Sequence, residues 1–199
     1  MSVSAREVKA LREHTGAGIM DCKRALIETG GDLEAAVDLL RMKGAAKVAK
    51  RADRAANEGT VGQYIHHGGR IGVLVELNCE TDFVAKTDEF CQLARDVAMH
   101  IAAARPLALS PEELSPELVE KERRIYLEQV RSEGKPEAIH ERIIEGKLRK
   151  FYEESTLLRQ KFVKDPDRSI GDLVTAIAAK TGENVRIARF ARFEVGVMG

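Results

Sequence analysis

The sequence predicts an α+β fold: a helical N-terminal module, then a core in which a small antiparallel sheet is packed by helices. Three observations carry that prediction. The first forty-odd residues divide into short helical runs with explicit start and stop signals. The period changes from helical to alternating at Gly59, and a further strand-like run occupies Asn184 to Glu194. At 199 residues and 22.0 kDa the chain falls between one domain and two, on a scale of ~150 residues each. A chain of this mass buries roughly 70% of its extended surface, enough for a real core. With 44% hydrophobic and 32% charged residues it is neither a disordered tail nor a membrane protein.

Each element has a local cause. Ser4-Ala5-Arg6-Glu7 is a capping box, after which Val8 and Leu11 share a helix face up to Thr15-Gly16-Ala17-Gly18. A second helix, Ile19 to Glu28, buries Cys22, Ala25 and Leu26 and stops at Thr29-Gly30-Gly31. Asp32 caps a third, with Leu33, Ala36, Val37 and Leu40 at helical spacing. These make a three-helix module over residues 1–44. Residues 45–58 read as a basic linker helix, in which Lys47, Lys50, Arg51 and Arg54 repeat along one face. That stripe is either a solvated face or a contact for RNA or an acidic partner; no aromatic is interleaved for base stacking.

The core is expected over 59–199. Thr60–His66 and Arg70–Asn78 form a hairpin (60–78) around His67-Gly68-Gly69. A helix over 87–105 carries the apolar stripe Phe90, Leu93, Ala94, Val97, Ala98 and Ile101. Charged helices follow over 116–154, turned at Gly134-Lys135-Pro136 and interrupted near Gly146, with Leu118, Ile125, Ile139, Ile143 and Leu148 expected inside. Asp165-Pro166 reads as a turn, 169–180 as a helix capped by Ser169, and 184–194 as a strand able to join the hairpin.

Composition excludes several function classes. No apolar run approaches the ~18 residues of a membrane span, and Met1–Glu7 lacks the apolar stretch of a signal peptide. Cys22, Cys79 and Cys91 lack paired spacing and read as reduced thiols of a cytoplasmic protein. Equal numbers of basic and acidic residues, 32 each, argue against a whole-molecule grip on nucleic acid. His66 and His67 point to opposite strand faces and find no further ligands, so no metal site is expected. Glu80 and Asp82 have no identifiable nucleophile or base beside them, and no phosphate loop is present. No cofactor and no covalent chemistry are expected.

Glu76 to Lys86 resists a bland reading. A strand end gives way to a loop bearing Thr81, Asp82, Phe83 and Val84, inside a stretch, Glu76 to Gln92, with five acids and one base. Phe83 there is either an inward staple or an outward wedge for a partner. The other five phenylalanines (Phe90, Phe151, Phe162, Phe190 and Phe193) are assigned to core or sheet positions.

The run Glu76-Leu77-Asn78-Cys79-Glu80-Thr81-Asp82-Phe83-Val84-Ala85-Lys86 resembles the signature of translation elongation factor Ts. Leu11 to Leu26, with Thr15-Gly16-Ala17-Gly18-Ile19-Met20-Asp21-Cys22 at its centre, is similar to the N-terminal signature of that family. Lys43-Gly44-Ala45-Ala46-Lys47 and Gly182-Glu183-Asn184-Val185-Arg186-Ile187 extend the likeness over nearly the whole chain. The resemblance implies a guanine-nucleotide exchange factor for the GTPase elongation factor Tu, acting by binding alone. It implies that Thr81, Asp82, Phe83 and Val84 enter the partner near its magnesium and phosphates. Gly16, Ala17, Gly18, Ile19, Met20 and Asp21, on a module similar to the ubiquitin-associated type, would form a second contact. The length matches short members with a reduced core, which implies a homodimer and a 2:2 complex. A non-catalytic adaptor and an RNA binder using 41–54 are the competing classes.

Overall fold

The computed structural model describes residues 3–197. Its elements, in chain order, are α1 (Ala5–Thr15), α2 (Ile19–Glu28), α3 (Leu33–Ala49), β1 (Glu58–Ile65), β2 (Ile71–Cys79), α4 (Asp82–Ala85), α5 (Asp88–Ala104), α6 (Pro116–Ser132), α7 (His140–Ser155), β3 (Lys161–Phe162), β4 (Asp165–Ser169), α8 (Ile170–Thr181) and β5 (Arg186–Glu194). The α+β class holds: a helical N-terminal region precedes a three-stranded sheet of order β1-β2-β5. Among the described residues, no helix is long and apolar enough to cross a membrane.

The chain forms two compact units. The first takes residues up to Val61, Glu76–Leu93 and Leu173–Ala188. Here α1 begins on the expected capping box: the Glu7 amide donates to Ser4 Oγ at 3.2 Å and the Ser4 amide to Glu7 Oε2 at 2.8 Å. Gly16 ends α1 with φ +68°, a conformation that a side chain would strain. Val8, Leu11, Cys22, Ala25, Leu26 and Ala36 form the core of the three helices. Leu33, expected on the buried face of α3, is 44% exposed.

One expectation fails here. The third helix does not stop at residue 44, and no separate basic helix forms over 45–58. α3 runs to Ala49, residues 50–54 turn, and β1 starts at Glu58. Gly44 is helical, and its missing side chain lets α8 come close: a Cβ there would stand 3.4 Å from that of Ala179. Ala45, Ala46 and Ala49 then carry the helix on by intrinsic propensity.

The second unit takes Gly62–Val75, Ala94–Asp172 and the residues from Arg189 on. The hairpin turns at Gly68 and Gly69, φ +86° and +67°, with the His66 amide donating to the Ile71 carbonyl at 2.9 Å. The stripe expected on α5 is buried throughout, Phe90 and Leu93 in the first unit and Ala94, Val97, Ala98 and Ile101 in the second. β1 meets this helix at Gly62, where a Cβ would lie 2.5 Å from the Ala94 carbonyl oxygen.

The charged helices are where the sequence reading errs most. α7 runs through Gly146 without interruption. The α6–α7 core is Val130, Ile144 and Leu148, with Val119, Tyr126, Leu127, Ile143 and Tyr152 against it, whereas Ile125 and Ile139 are 40% and 38% exposed. So few apolar residues on so charged a pair of helices leave the buried face ambiguous by one position. Asp165-Pro166 is not a free turn but the start of β4, which pairs antiparallel with β3. Proline is tolerated there because a two-stranded ribbon leaves one side of each strand unpaired. Phe193, assigned to a core or sheet position, lies in β5 and is 68% exposed.

Candidate functional site

The loop after β2 is built by hydrogen bonds that start 102 residues away. β2 ends at Cys79, and the next two backbone amides, Glu80 and Thr81, donate to one carboxylate oxygen of Glu183, at 3.0 and 3.1 Å. The Thr81 hydroxyl donates to the other oxygen at 2.6 Å. Thr81 is also the N-cap of α4, its Oγ1 accepting from the Val84 amide at 3.4 Å. The far end is closed by Thr87, whose hydroxyl donates to the Val84 carbonyl at 2.8 Å and accepts the Phe90 amide as α5 begins.

α4 is a single turn. Residues two apart on a helix lie roughly 200° apart, so when Ala85 turns inward, 8% exposed, Phe83 must point out. Its ring is 81% exposed, more than any other large apolar side chain among the described residues. The outward alternative therefore describes the geometry. Asp82 is paired with Lys86 at 2.6 Å, one helical turn on. That hydrogen bond and the ammonium charge hold its carboxyl below the ordinary range. The tip thus presents an apolar ring beside an ion-paired carboxylate.

Two thiols lie beneath. Cys79 Sγ donates to the Thr81 carbonyl at 3.1 Å and Cys91 Sγ to the Ala85 carbonyl at 3.4 Å. Burial, then the nearby charge of Glu183, pushes the Cys79 thiol up to about 11, so it stays protonated. All three cysteines are free.

The second candidate surface is the α1–α2 turn. The Gly16 amide closes α1 on the Arg12 carbonyl at 2.8 Å, and the Thr15 hydroxyl accepts the Ala17 amide at 3.3 Å. Gly18 is the N-cap of α2 and offers no side chain to cover the helix start. Ile19 and Met20 follow, 53% and 60% exposed. Asp21 is not free: it pairs with Arg24, and with Lys47 at 3.1 Å, which together lower its carboxyl. The basic stripe is partly spent in the same way, since Arg54 pairs with Glu80 at 3.5 Å.

Sequence reasoning missed the brace under the first site. Asn184, 4% exposed, donates its backbone amide to Glu80 Oε1 at 2.6 Å. Its side-chain amide donates to the carbonyls of Ala52 at 3.1 Å and Arg54 at 2.7 Å. The sequence reads Asn184 as the first residue of the last strand, whereas β5 begins at Arg186, and nothing local says which loop Glu183 and Asn184 face. Among the described residues no group of three or more His, Cys, Asp or Glu is placed to hold a metal ion.

With this geometry in place, the comparisons with known proteins are specific. A family model described as Elongation factor TS matches residues 9–197. Proteins named Elongation factor Ts are similar over most of their length. That of Syntrophobacter fumaroxidans is 57% identical over 196 residues, 98% of each chain. That of Desulfotalea psychrophila is 55% identical over 196 residues, 98% of this chain and all of its own. That of Caldanaerobacter subterraneus subsp. tengcongensis is 56% identical over 194 residues, 98% and 97%.

Proposed function

The chain belongs to the elongation factor Ts family, and from that premise we propose that it is a guanine-nucleotide exchange factor for elongation factor Tu. It binds the GDP form of that GTPase in the cytoplasm, disturbs the magnesium and phosphate site, and speeds GDP release so that GTP can enter. No bond is made or broken.

The observation that carries the reading is Phe83: a ring 81% exposed on a short, capped helix whose position is held from outside the loop. Folding gains little from a phenylalanine in water, whereas burying it in a partner yields about 1.5–3 kcal/mol. Mg²⁺ demands near-octahedral geometry, so a small displacement of its ligands weakens it greatly. Asp82, ion-paired with Lys86, brings a carboxylate to the phosphate side, and Thr81 and Val84 set the turn that aims both.

One ring is not enough. A ~10⁴-fold acceleration needs about 5.5 kcal/mol. The rest falls to further contacts, foremost the turn Gly16-Ala17-Gly18 with the exposed Ile19 and Met20, and Asp21 bracing their helix. Linkage requires that whatever weakens GDP is itself weakened by GDP to the same factor, so the complex with both is transient.

The homodimer belongs to the same reading. Gly62 and Arg192 face α5, so Ile65 and Phe193 stand on the opposite, outer face of the sheet, as does Leu74 between the buried Val73 and Val75. Ile65, Leu74 and Phe193 are 65%, 46% and 68% exposed, an apolar set suited to a second copy. The test of the function is release of a fluorescent GDP from elongation factor Tu with and without the chain. Acceleration that grows with chain concentration and is opposed by free GDP is expected. Tight binding without faster release would make the protein an adaptor instead.

A further inference from the structure

We propose that Glu183 is the positioning residue for Phe83, setting the ring's aim without touching the GTPase; this rests on the exchange reading above. One carboxylate takes three donors, the amides of Glu80 and Thr81 and the hydroxyl of Thr81. All three belong to the two residues through which the chain leaves β2 and enters α4. Thr81 passes the constraint on, since the oxygen that donates to Glu183 also caps α4 through the Val84 amide. The chain of bonds therefore runs from Glu183 to the helix that carries Phe83.

Glu183 is itself held. Its neighbour Asn184 is nearly buried, bonds Glu80 through its backbone amide, and ties its side chain to the carbonyls of Ala52 and Arg54. Hydrogen bonds to an ionised acceptor are roughly twice as strong as neutral ones. An exposed ring on a one-turn helix has few packing contacts to hold it, so the carboxylate takes that part. A wedge that is already aimed loses little freedom on insertion, whereas a loose one must be ordered during binding. The effect should fall on the step after docking: the maximal release rate drops while the half-saturating concentration stays nearly constant.

The test is a double-mutant cycle of Phe83→Ala and Glu183→Ala, read by stopped-flow release of fluorescent GDP from elongation factor Tu. Glu183→Ala is expected to lower the maximal rate by about tenfold with a less than about twofold change in half-saturation. It should cost nothing further in the Phe83→Ala background. Glu183→Gln, which keeps an oxygen facing the two amides, should recover most of the rate. A Glu183→Ala chain as fast as the parent overturns the proposal. So does an equal loss in both backgrounds, which would mean that Glu183 contacts the GTPase directly. Hydrogen exchange at the Glu80 and Thr81 amides runs in parallel. If Phe83→Ala itself leaves release unchanged, the exchange reading falls, and these amides decide the mount alone: deprotection in Glu183→Ala supports it and unchanged protection refutes it. Should Glu183→Ala fail to fold, Glu183→Asp, one methylene too short to reach all three donors, is read in its place.

Discussion

Phe83 and Gly62 mark opposite extremes of what a single position tolerates. The Phe83 ring is held in water by the turn it sits on and loses almost no packing when truncated. Phe83→Ala is therefore expected to leave the unfolding free energy from a urea titration within about 0.5 kcal/mol of the parent, measured by circular dichroism. Gly62 is the reverse. An added methyl would fall 2.5 Å from the Ala94 carbonyl oxygen and 2.7 Å from its carbon, and backbone inside a packed helix cannot step aside. Gly62→Ala should cost about 1–3 kcal/mol in the same titration. The residues around the first left it open between an inward staple and an outward wedge, and the family resemblance alone marked it as a contact. The second was only a glycine in a strand, because its reason for being glycine is a helix more than thirty residues on.

At the scale of elements, α5 is tied to the segment that follows α7 by a buried imidazole. Gln160 donates its amide nitrogen to the carbonyls of Glu154 at 2.7 Å and Ala104 at 3.4 Å, so its oxygen faces His100 and the ring nitrogen Nε2, 3.0 Å away, is the donor. Nδ1 then has no partner. Burial pushes this histidine below its ordinary 6.5. The unfolded chain therefore takes up the proton first as pH falls. Stability is full above about 6.5 and declines below it, because protonation would place an unpaired charge in the interior. Urea midpoints at pH 7.5 and 5.5 check this, with a smaller difference expected in His100→Gln. Such ties explain what could be read in advance. Caps such as Ser4 with Glu7, and the α5 stripe from Phe90 to Ile101, are local patterns and appear in the structure as the sequence implies. The β3–β4 ribbon, the Glu183 carboxylate under Thr81 and the continuation of α3 through Gly44 depend on partners distant in sequence, and no local pattern encodes them.

For the whole molecule, a formal charge of zero conceals cations that are engaged internally: Lys47 with Asp21, Arg54 with Glu80, Lys86 with Asp82. Two of the four cations of the basic stripe are thus already paired, which leaves less field for RNA than the sequence suggested. The exposed set Ile65, Leu74 and Phe193 makes the oligomeric state a separate prediction. Sedimentation equilibrium should give a mass near twice 22.0 kDa, and Phe193→Ser should shift it toward the monomer. The proposed exchange turns on Phe83, and its most direct test is stopped-flow release of fluorescent GDP from elongation factor Tu, with the parent chain and Phe83→Ala compared at saturation. Loss of the 1.5–3 kcal/mol of a buried ring predicts a rate lower by about tenfold to a hundredfold for the variant. Equal rates for the two chains would contradict the wedge and with it the mechanism.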